Sequence, residues 1–298
     1  MNQEILAIGF GLVTASVLAL SAVGFTLQFG VTNVFNLAFG HVMTASAFVA
    51  YVVNVNAGLG IGFALAAGAA AGALVSFLVN RLIYRPFLLR GATLFTMVIV
   101  TLATGAILLN ALQIIVGTDF RSYAIVQQPS LHILGMILTP RQLLVIGLSA
   151  ASMLGLHTIL RHTRLGKAMR ATQVNAELAR SCGIATDRVT DVAWLVSGAF
   201  CGLAGVALAL NLNSFAFTFG NDFLLVIVAC AVLGSVGHVY GAMVGALVIG
   251  LASEEAAIVA PALKEVVAFG ILVLILLVRP NGLFSRAFNQ QMSVSAQQ

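Results

Sequence analysis

The sequence predicts an all-α, polytopic transmembrane helical bundle of about eight or nine crossings with interrupted or re-entrant helices. Three observations predict it. Of 298 residues, 60% are hydrophobic and 8% charged, where about 25% charged is usual in a soluble domain, and the mean hydropathy is +1.07. No Asp, Glu, Lys or Arg lies between Glu4 and Arg81, which leaves room for three helical spans of about 20 residues each. Six of the 14 Lys and Arg residues are gathered in 161–190, the one long polar segment with a basic excess.

A charge at mid-bilayer costs roughly 2.5–3.5 kcal/mol on the insertion scale, so charged positions mark the ends of spans. Read this way, spans fall at 5–29, 36–55, 60–80, 92–117, 141–160, 191–211, 223–257 and 264–279. The first has no basic n-region and stays apolar well beyond the length of a signal h-region, so it reads as a retained span. The second opens on Gly30-Val-Thr-Asn-Val-Phe-Asn-Leu-Ala-Phe-Gly-His41, an interruption rich in Gly and polar groups. The third is mostly Gly and Ala from Gly58 to Gly72, and the sixth carries Gly198, Gly202 and Gly205. Small residues let helix backbones approach where lipid supplies no hydrophobic drive. The seventh is too long for one span. Its middle, Gly234-Ser-Val-Gly-His-Val-Tyr-Gly241, breaks it into two shorter helices or a re-entrant hairpin, which a membrane tolerates where protein or water surrounds the break. The interruptions at 30–41 and 234–241, in two halves of one chain, point to a pathway near the midplane even without a residue-by-residue repeat.

Orientation follows from the cytoplasmic excess of Lys and Arg. Arg81, Arg85 and Arg90, then Arg161, Arg164, Lys167, Arg170, Arg180 and Arg188, then Arg279 and Arg286 belong inside. The C-terminus is therefore expected in the cytoplasm and the N-terminus in the periplasm. This topology also accounts for the net charge of +5, so no nucleic-acid partner is expected; membrane lipid is. The chain reads as a single transmembrane domain over 1–298. It has no Gly-x-x-x-x-Gly-Lys-Ser/Thr phosphate loop, so ATP dependence would come from another chain. Cys182, Cys201 and Cys230 have neither disulfide nor metal spacing, and the five histidines are scattered. No metal site, no cofactor and no catalytic residue is expected.

Asn33, Asn36, Gly40 and His41 are the candidate translocation-pathway residues. Polar groups at membrane depth must be satisfied by protein, water or solute. Two readings stand side by side: Asn36 caps a helix that starts inside the membrane, or the helix start faces a cavity and attracts an anionic group. Asn211, Asn213 and Asp222 read as interfacial, and Glu254, Glu255, Lys264 and Glu265 as local ion pairs. In 161–190, Leu165, Ala168, Met169 and Thr172 fall on one helical face, with Arg164, Lys167 and Arg170 around the remainder. A second short helix holds Glu177, Leu178 and Arg180, and Gly183 stops it as a glycine cap. An amphipathic basic helix lies readily on anionic lipid; the second helix and the glycine stop favour a protein partner.

Three motifs in order carry a resemblance over roughly 20–284. Thr163-Arg-Leu-Gly-Lys-Ala-Met-Arg-Ala171 with Ala176-Glu-Leu-Ala-Arg180, Gly183-Ile184 and Arg188 resembles the coupling loop of branched-chain amino acid ABC transporter permeases. Leu233-Gly-Ser-Val-Gly-His-Val-Tyr-Gly-Ala242 and Arg279-Pro-Asn-Gly-Leu-Phe284 resemble that family's glycine-rich turn and the end of its last span. The resemblance implies an inner-membrane permease subunit of an ATP-binding cassette importer for leucine, isoleucine, valine or a related small solute. It implies as partners a second permease subunit, two cytoplasmic ATP-binding subunits and a periplasmic solute-binding protein. It also assigns Arg164, Leu165, Gly166, Arg170, Glu177 and Gly183 to ATPase coupling. One departure stands out: where the family commonly has Asn-Phe-Ala-His-Gly-Asp, this chain has Asn36-Leu-Ala-Phe-Gly-His41, a change that bears on the substrate. A secondary transporter or channel without an ATPase is the alternative from another class; an intramembrane enzyme ranks behind both, because no paired acids or activated nucleophile lie at membrane depth.

Overall fold

Apolar runs in lipid must satisfy their own backbone groups, and helices do so within one segment. The computed structural model describes residues 3–124, 131–133, 136–279 and 282–284. In chain order, α1 (Gln3–Thr32) is followed after a six-residue break by α2 (Phe39–Tyr51), which continues as a π turn over Val52–Asn56. Next, α3 (Ile61–Val79) runs through a second π turn (Asn80–Tyr84) into α4 (Arg85–Leu89), and α5 (Leu94–Val116) follows. A small antiparallel hairpin, β1 (Leu131–Ile133) with β2 (Met136–Leu138), sets Leu131 opposite Leu138. Then come α6 (Pro140–His162), the short α7 (Arg164–Val174) and α8 (Ala176–Ser181), and the long α9 (Thr186–Leu212). The chain closes with α10 (Phe219–Asp222), α11 (Leu224–Leu233), α12 (Val239–Val259) and α13 (Leu263–Val278).

Among the described residues, six helical segments are long and apolar enough to cross a bilayer: 7–32, 61–89, 94–116, 140–162, 186–212 and 239–259. Three shorter ones, α2, α10–α11 and α13, complete the bundle. The break read at 234–241 does divide one apolar run into two helices, α11 and α12.

The ends carrying Arg81, Arg85 and the 161–190 segment define a basic end. There α1 finishes, with Gly30 against Gln173 of α7. There also α9 begins, with Asp187 and Asp191 paired to Arg85 and Arg81. Helices α1 and α9 thus run in opposite senses, and each feeds an interrupted helix. The packing follows the same pattern, since α1 lies along α12 while α9 lies along α3. Units α1–α2–α3 and α9–α10/α11–α12 therefore form an inverted pair, the arrangement typical of transporter folds built from internal repeats.

Glycines make these crossings close. A Cβ on Gly72 would strike the carbonyl oxygen of Gly198, and one on Gly202 would strike that of Gly68. At the α1–α12 crossing, a Cβ on Gly250 would lie 2.5 Å from Ala15 Cα. The centre of the bundle is closed: Leu20, Leu27, Ala204 and Ile249 are inaccessible. Helix α5, by contrast, turns Phe95, Ile107 and Ile114 outward, an apolar exterior suited to lipid or to another membrane subunit.

Gly202→Leu is expected to cost at least about 1–3 kcal/mol through overpacking and to lower the thermal midpoint in detergent. Gly155→Ala in α6, where nothing lies within 4 Å, is expected to be neutral or slightly stabilising, since Ala is favoured over Gly in a helix by roughly 0.5–1 kcal/mol. Equal midpoint shifts for the two would contradict the glycine crossing.

Candidate functional site

The first break is built from residues that satisfy one another. Asn33 ends α1 with φ +55°, a left-handed conformation that Asn adopts more readily than most residues. Asn36 is 2% exposed. Its Oδ1 accepts from the backbone N–H of Ala38 at 3.1 Å and from the Tyr84 hydroxyl at 2.9 Å. Thr101 of α5 donates to the Phe35 carbonyl at 3.1 Å. Phe25 packs edge-to-face with Phe35 and Phe39, at centroid distances of 5.3 and 5.7 Å. Asn36 thus closes a turn just ahead of α2, accepting from the N–H of Ala38, the residue at the helix's N-terminal boundary, and from Tyr84.

Gly40 sits where α2 meets α10, and a Cβ there would lie 2.6 Å from the Gly220 carbonyl oxygen. Thr44 locks the crossing. Its hydroxyl donates to the Gly40 carbonyl at 3.0 Å and accepts from the Gly220 N–H at 3.2 Å. His41 is buried, and its ring lies where a Cβ on Gly105 would come within 2.8 Å. Among the described residues its Nδ1 has no hydrogen-bond partner. Both positions that depart from the family pattern are buried: Phe39 is 1% exposed inside the aromatic cluster, and His41 occupies the space that Gly105 leaves. Of the four pathway candidates, Asn33 is the exposed one.

The second break repeats the first. Asn33-x-Phe35-x-x-x-Phe39-Gly40 recurs as Asn213-x-Phe215-x-x-x-Phe219-Gly220, 180 positions on. Asn213 also has positive φ, +62°. The counterpart of the break at 30–41 is thus 213–220 and not 234–241, a correction that the four-residue match in the sequence already contained. The second break is anchored from the opposite end: Arg121 and Phe215 exchange backbone hydrogen bonds of 3.0 and 2.9 Å, and Arg141 donates to Asn213 Oδ1 at 3.0 Å. Phe215 is enclosed by Phe48, Tyr51 and Tyr123; Tyr123 donates to the Ala47 carbonyl at 3.0 Å, and burial pushes its phenol pKa up. Just past the crossing, Asn221 and Asp222 are exposed. Asp222 lines a cavity of about 180 Å³ with Thr14, Asn211, Ser253, Glu254 and Lys264. Glu254 is held there by Lys264, at 2.8 Å to each carboxylate oxygen, and by the Thr14 hydroxyl at 2.8 Å, which is the local ion pairing expected of these residues.

At the basic end, α7 and α8 form as their capping residues dictate. Thr163 accepts from Gly166 N–H at 3.1 Å and Asn175 from Leu178 N–H at 2.9 Å. Gly183, φ +84°, closes α8 with bonds from Gly183 N–H to the Arg180 carbonyl and from Ile184 N–H to the Ala179 carbonyl, both 3.0 Å, the Schellman pattern. The apolar face Leu165, Ala168, Met169 and Thr172 turns inward, onto the bundle. Gly166 turns inward too, and a Cβ there would strike the carbonyl oxygens of Ile159 and Leu160. Arg164, Arg170, Glu177 and Gly183 face out. So does Leu178, 61% exposed on a polar helix, a residue read from the sequence as part of this helix but not among the coupling candidates, because a six-residue helix shows no period. The glycine-rich turn and the tail meet here as well: Leu283 N–H donates to the Leu233 carbonyl at 2.9 Å, and the His238 and Phe284 rings stack at 5.7 Å. Among the described residues, no group of three or more His, Cys, Asp or Glu is placed to hold a metal ion.

A family model described as the permease component of the branched-chain amino acid transport system matches residues 7–276. The high-affinity branched-chain amino acid transport system permease protein BraD of Pseudomonas aeruginosa is 30% identical over 297 residues, covering 93% of this chain and 94% of that protein. The corresponding permease protein LivH of Escherichia coli K12 is 28% identical, with coverage of 93% and 94%. The ribose import permease protein RbsC of Escherichia coli K12 is 27% identical, covering 79% of this chain and 73% of that one. In fold, the chain is similar to the solved structure of PsaBC from Streptococcus pneumoniae in complex with Fab, with a TM-score of 0.52, 13% identity, and coverage of 95% and 94%.

Thr44→Val keeps the side-chain shape and removes the hydroxyl that bridges Gly40 and Gly220. Leaving the Gly220 N–H unsatisfied is expected to cost about 1–3 kcal/mol, read as a lowered unfolding midpoint. Thr44→Ser, which retains the hydroxyl, should recover most of that loss.

Proposed function

The chain belongs to the family of branched-chain amino acid transport system permease components, multi-pass membrane subunits of ATP-binding cassette importers, and from that membership we propose its place in the assembled transporter. It is one of two permease subunits in a bacterial inner membrane, working with two cytoplasmic ATP-binding subunits and a periplasmic solute-binding protein. The basic end, with the C-terminus, faces the cytoplasm, and the N-terminus faces the periplasm. The chain performs no covalent chemistry and carries no cofactor. Its solute is a branched-chain amino acid or a related small molecule. The buried placement of Phe39 and His41 favours the former, because the residues that depart from the family pattern lie in packing contacts.

The observation that carries the reading is the outward presentation of α7 and α8. The apolar face of α7 around Met169 packs against the bundle, leaving Arg164, Arg170, Glu177, Gly183 and Leu178 exposed at the basic end. Leu165 and Gly166 serve coupling from within, by setting the helix against the end of α6. A second permease is supported by α5. Asn110 stands exposed among Ile107, Ile114 and Ile115, bonded to its own helix at the Ala106 carbonyl, 2.7 Å. A polar group on an apolar helix favours a protein or aqueous neighbour over lipid tails. The solute path would then pass the paired breaks, along Asn33, Asn221 and Asp222, with Asn36, Gly40 and His41 fixing their geometry.

The reading is tested by co-reconstituting the chain with its partner subunits in vesicles and measuring leucine uptake. Uptake should require ATP and the ATP-binding subunits; equal uptake by the chain alone, without ATP, would refute it in favour of a secondary transporter or channel. Arg170→Glu combined with Leu178→Asp should abolish capture of the ATP-binding subunits. These exposed positions should leave stability within about 0.5 kcal/mol, so retained capture would remove them from the docking face.

A further inference from the structure

At the basic end two sets of polar contacts, joined through the backbone of adjacent Tyr84 and Arg85, connect the docking helices to the first break. Arg180 of α8 donates from Nε to Thr186 Oγ1 at 3.2 Å and from Nη2 to Asp187 Oδ1 at 3.3 Å. The other oxygen of Asp187 meets Arg85 Nη2 at 2.8 Å. Arg85 directly follows the π turn Asn80–Tyr84, a wide turn that recurs at functional positions in helices. Residues four apart share a helical face, and here the two faces divide the work. Arg81 and Arg85 reach the carboxylates of Asp191 and Asp187. Tyr84 is fully buried against Trp194, with ring centroids 5.3 Å apart, and its hydroxyl donates to Asn36 Oδ1 at 2.9 Å. That same oxygen holds the N–H of Ala38, the residue before α2.

We propose that Tyr84 is a positioning residue that ties the docking segment to the start of α2, with Arg180–Asp187–Arg85 as the link on the docking side. The proposal rests on the ATP-driven importer reading. When the docking helices are displaced, Asp187 carries Arg85 with it. The π turn moves as a body because Arg81 and Asn80 also grip Asp191, at 3.0 and 3.4 Å. Trp194 packs the Tyr84 ring, so the displacement is delivered to Asn36 instead of being absorbed by a rotamer change. The second break has its own anchors, Arg121 and Arg141, from the opposite end, and stays outside this link. The Arg85–Asp187 pair is partly solvent-exposed, with side chains 31% and 57% accessible. Such pairs add little to stability, so breaking this one tests transmission and leaves folding intact.

The readout is the amount of solute moved per ATP hydrolysed by the complete importer in vesicles. A subunit that is merely destabilised loses uptake and hydrolysis together, and its ratio stays put. Tyr84→Phe, which keeps the ring on Trp194 and removes the hydroxyl, should lower the ratio by roughly 2-fold to 30-fold, the span of coupling residues outside either site. Asp187→Asn should lower it similarly. The double variant should be no worse than the worse single, as expected for two cuts in one path. An unchanged ratio in either single variant, or losses that multiply in the double, would overturn the proposal. Should Tyr84→Phe fail to assemble, Asp187→Asn alone decides. Failure of the importer reading looks different: the unsubstituted transporter would then move solute without ATP.

Discussion

Everything at the centre of this bundle depends on two helix starts meeting backbone to backbone. Gly40 and Gly220 leave no room for a side chain, and the Thr44 hydroxyl spans the contact with one donated and one accepted bond. Both helices begin after a break, so both arrive with unsatisfied N–H groups, which apolar surroundings penalise. The crossing answers that demand for Gly220, and Asn36 answers it for Ala38. Break, crossing and cap are thus one device for starting helices inside a membrane.

The long helices hold that device in place without help from water. Lipid is as apolar as the helix surfaces, so association depends on close packing and a few polar contacts. The chain meets this with glycine at α3–α9 and α1–α12, and with Ser197 donating to the Gly24 carbonyl at 2.8 Å between α9 and α1. The two breaks are then secured from opposite ends, the first by Tyr84 and Thr101, the second by Arg121 and Arg141. A bundle so arranged has one handle for each side of the membrane.

Much of this was legible in the residues. Charges placed the ends of the spans because a buried charge is costly, and the seventh run declared its own break through Gly234 and Gly241. Other features were hidden for physical reasons. The apolar face of α7 looked like a partner surface, yet a short helix at the end of a bundle buries such a face on its own protein first. The helix through Arg81 and Arg85 outlasted its apolar run because two carboxylates on α9 neutralise those arginines at the membrane edge. The repeat at 213–220 was missed because only four positions match, Asn, Phe, Phe and Gly. Those four are the ones whose backbone or ring has a fixed task, while positions between them face different neighbours in the two copies. The role of Tyr84 has no local signal: its partner is 48 residues away.

The inverted pair also bears on how the chain enters the membrane. Neither copy has a Lys or Arg across its spans, 5–80 and 189–263, so the positive-inside rule has little to act on within either one. Insertion machinery reading such a copy by itself would find almost nothing to choose one direction over the other. The charges that would break the tie lie between the copies, at 81–90 and 161–188, in the segments that also pair with α9 and carry α7 and α8. The same few arginines thus stand where the positive-inside rule acts and where the helices pair, so a substitution at Arg81 or Arg85 touches topology and packing together.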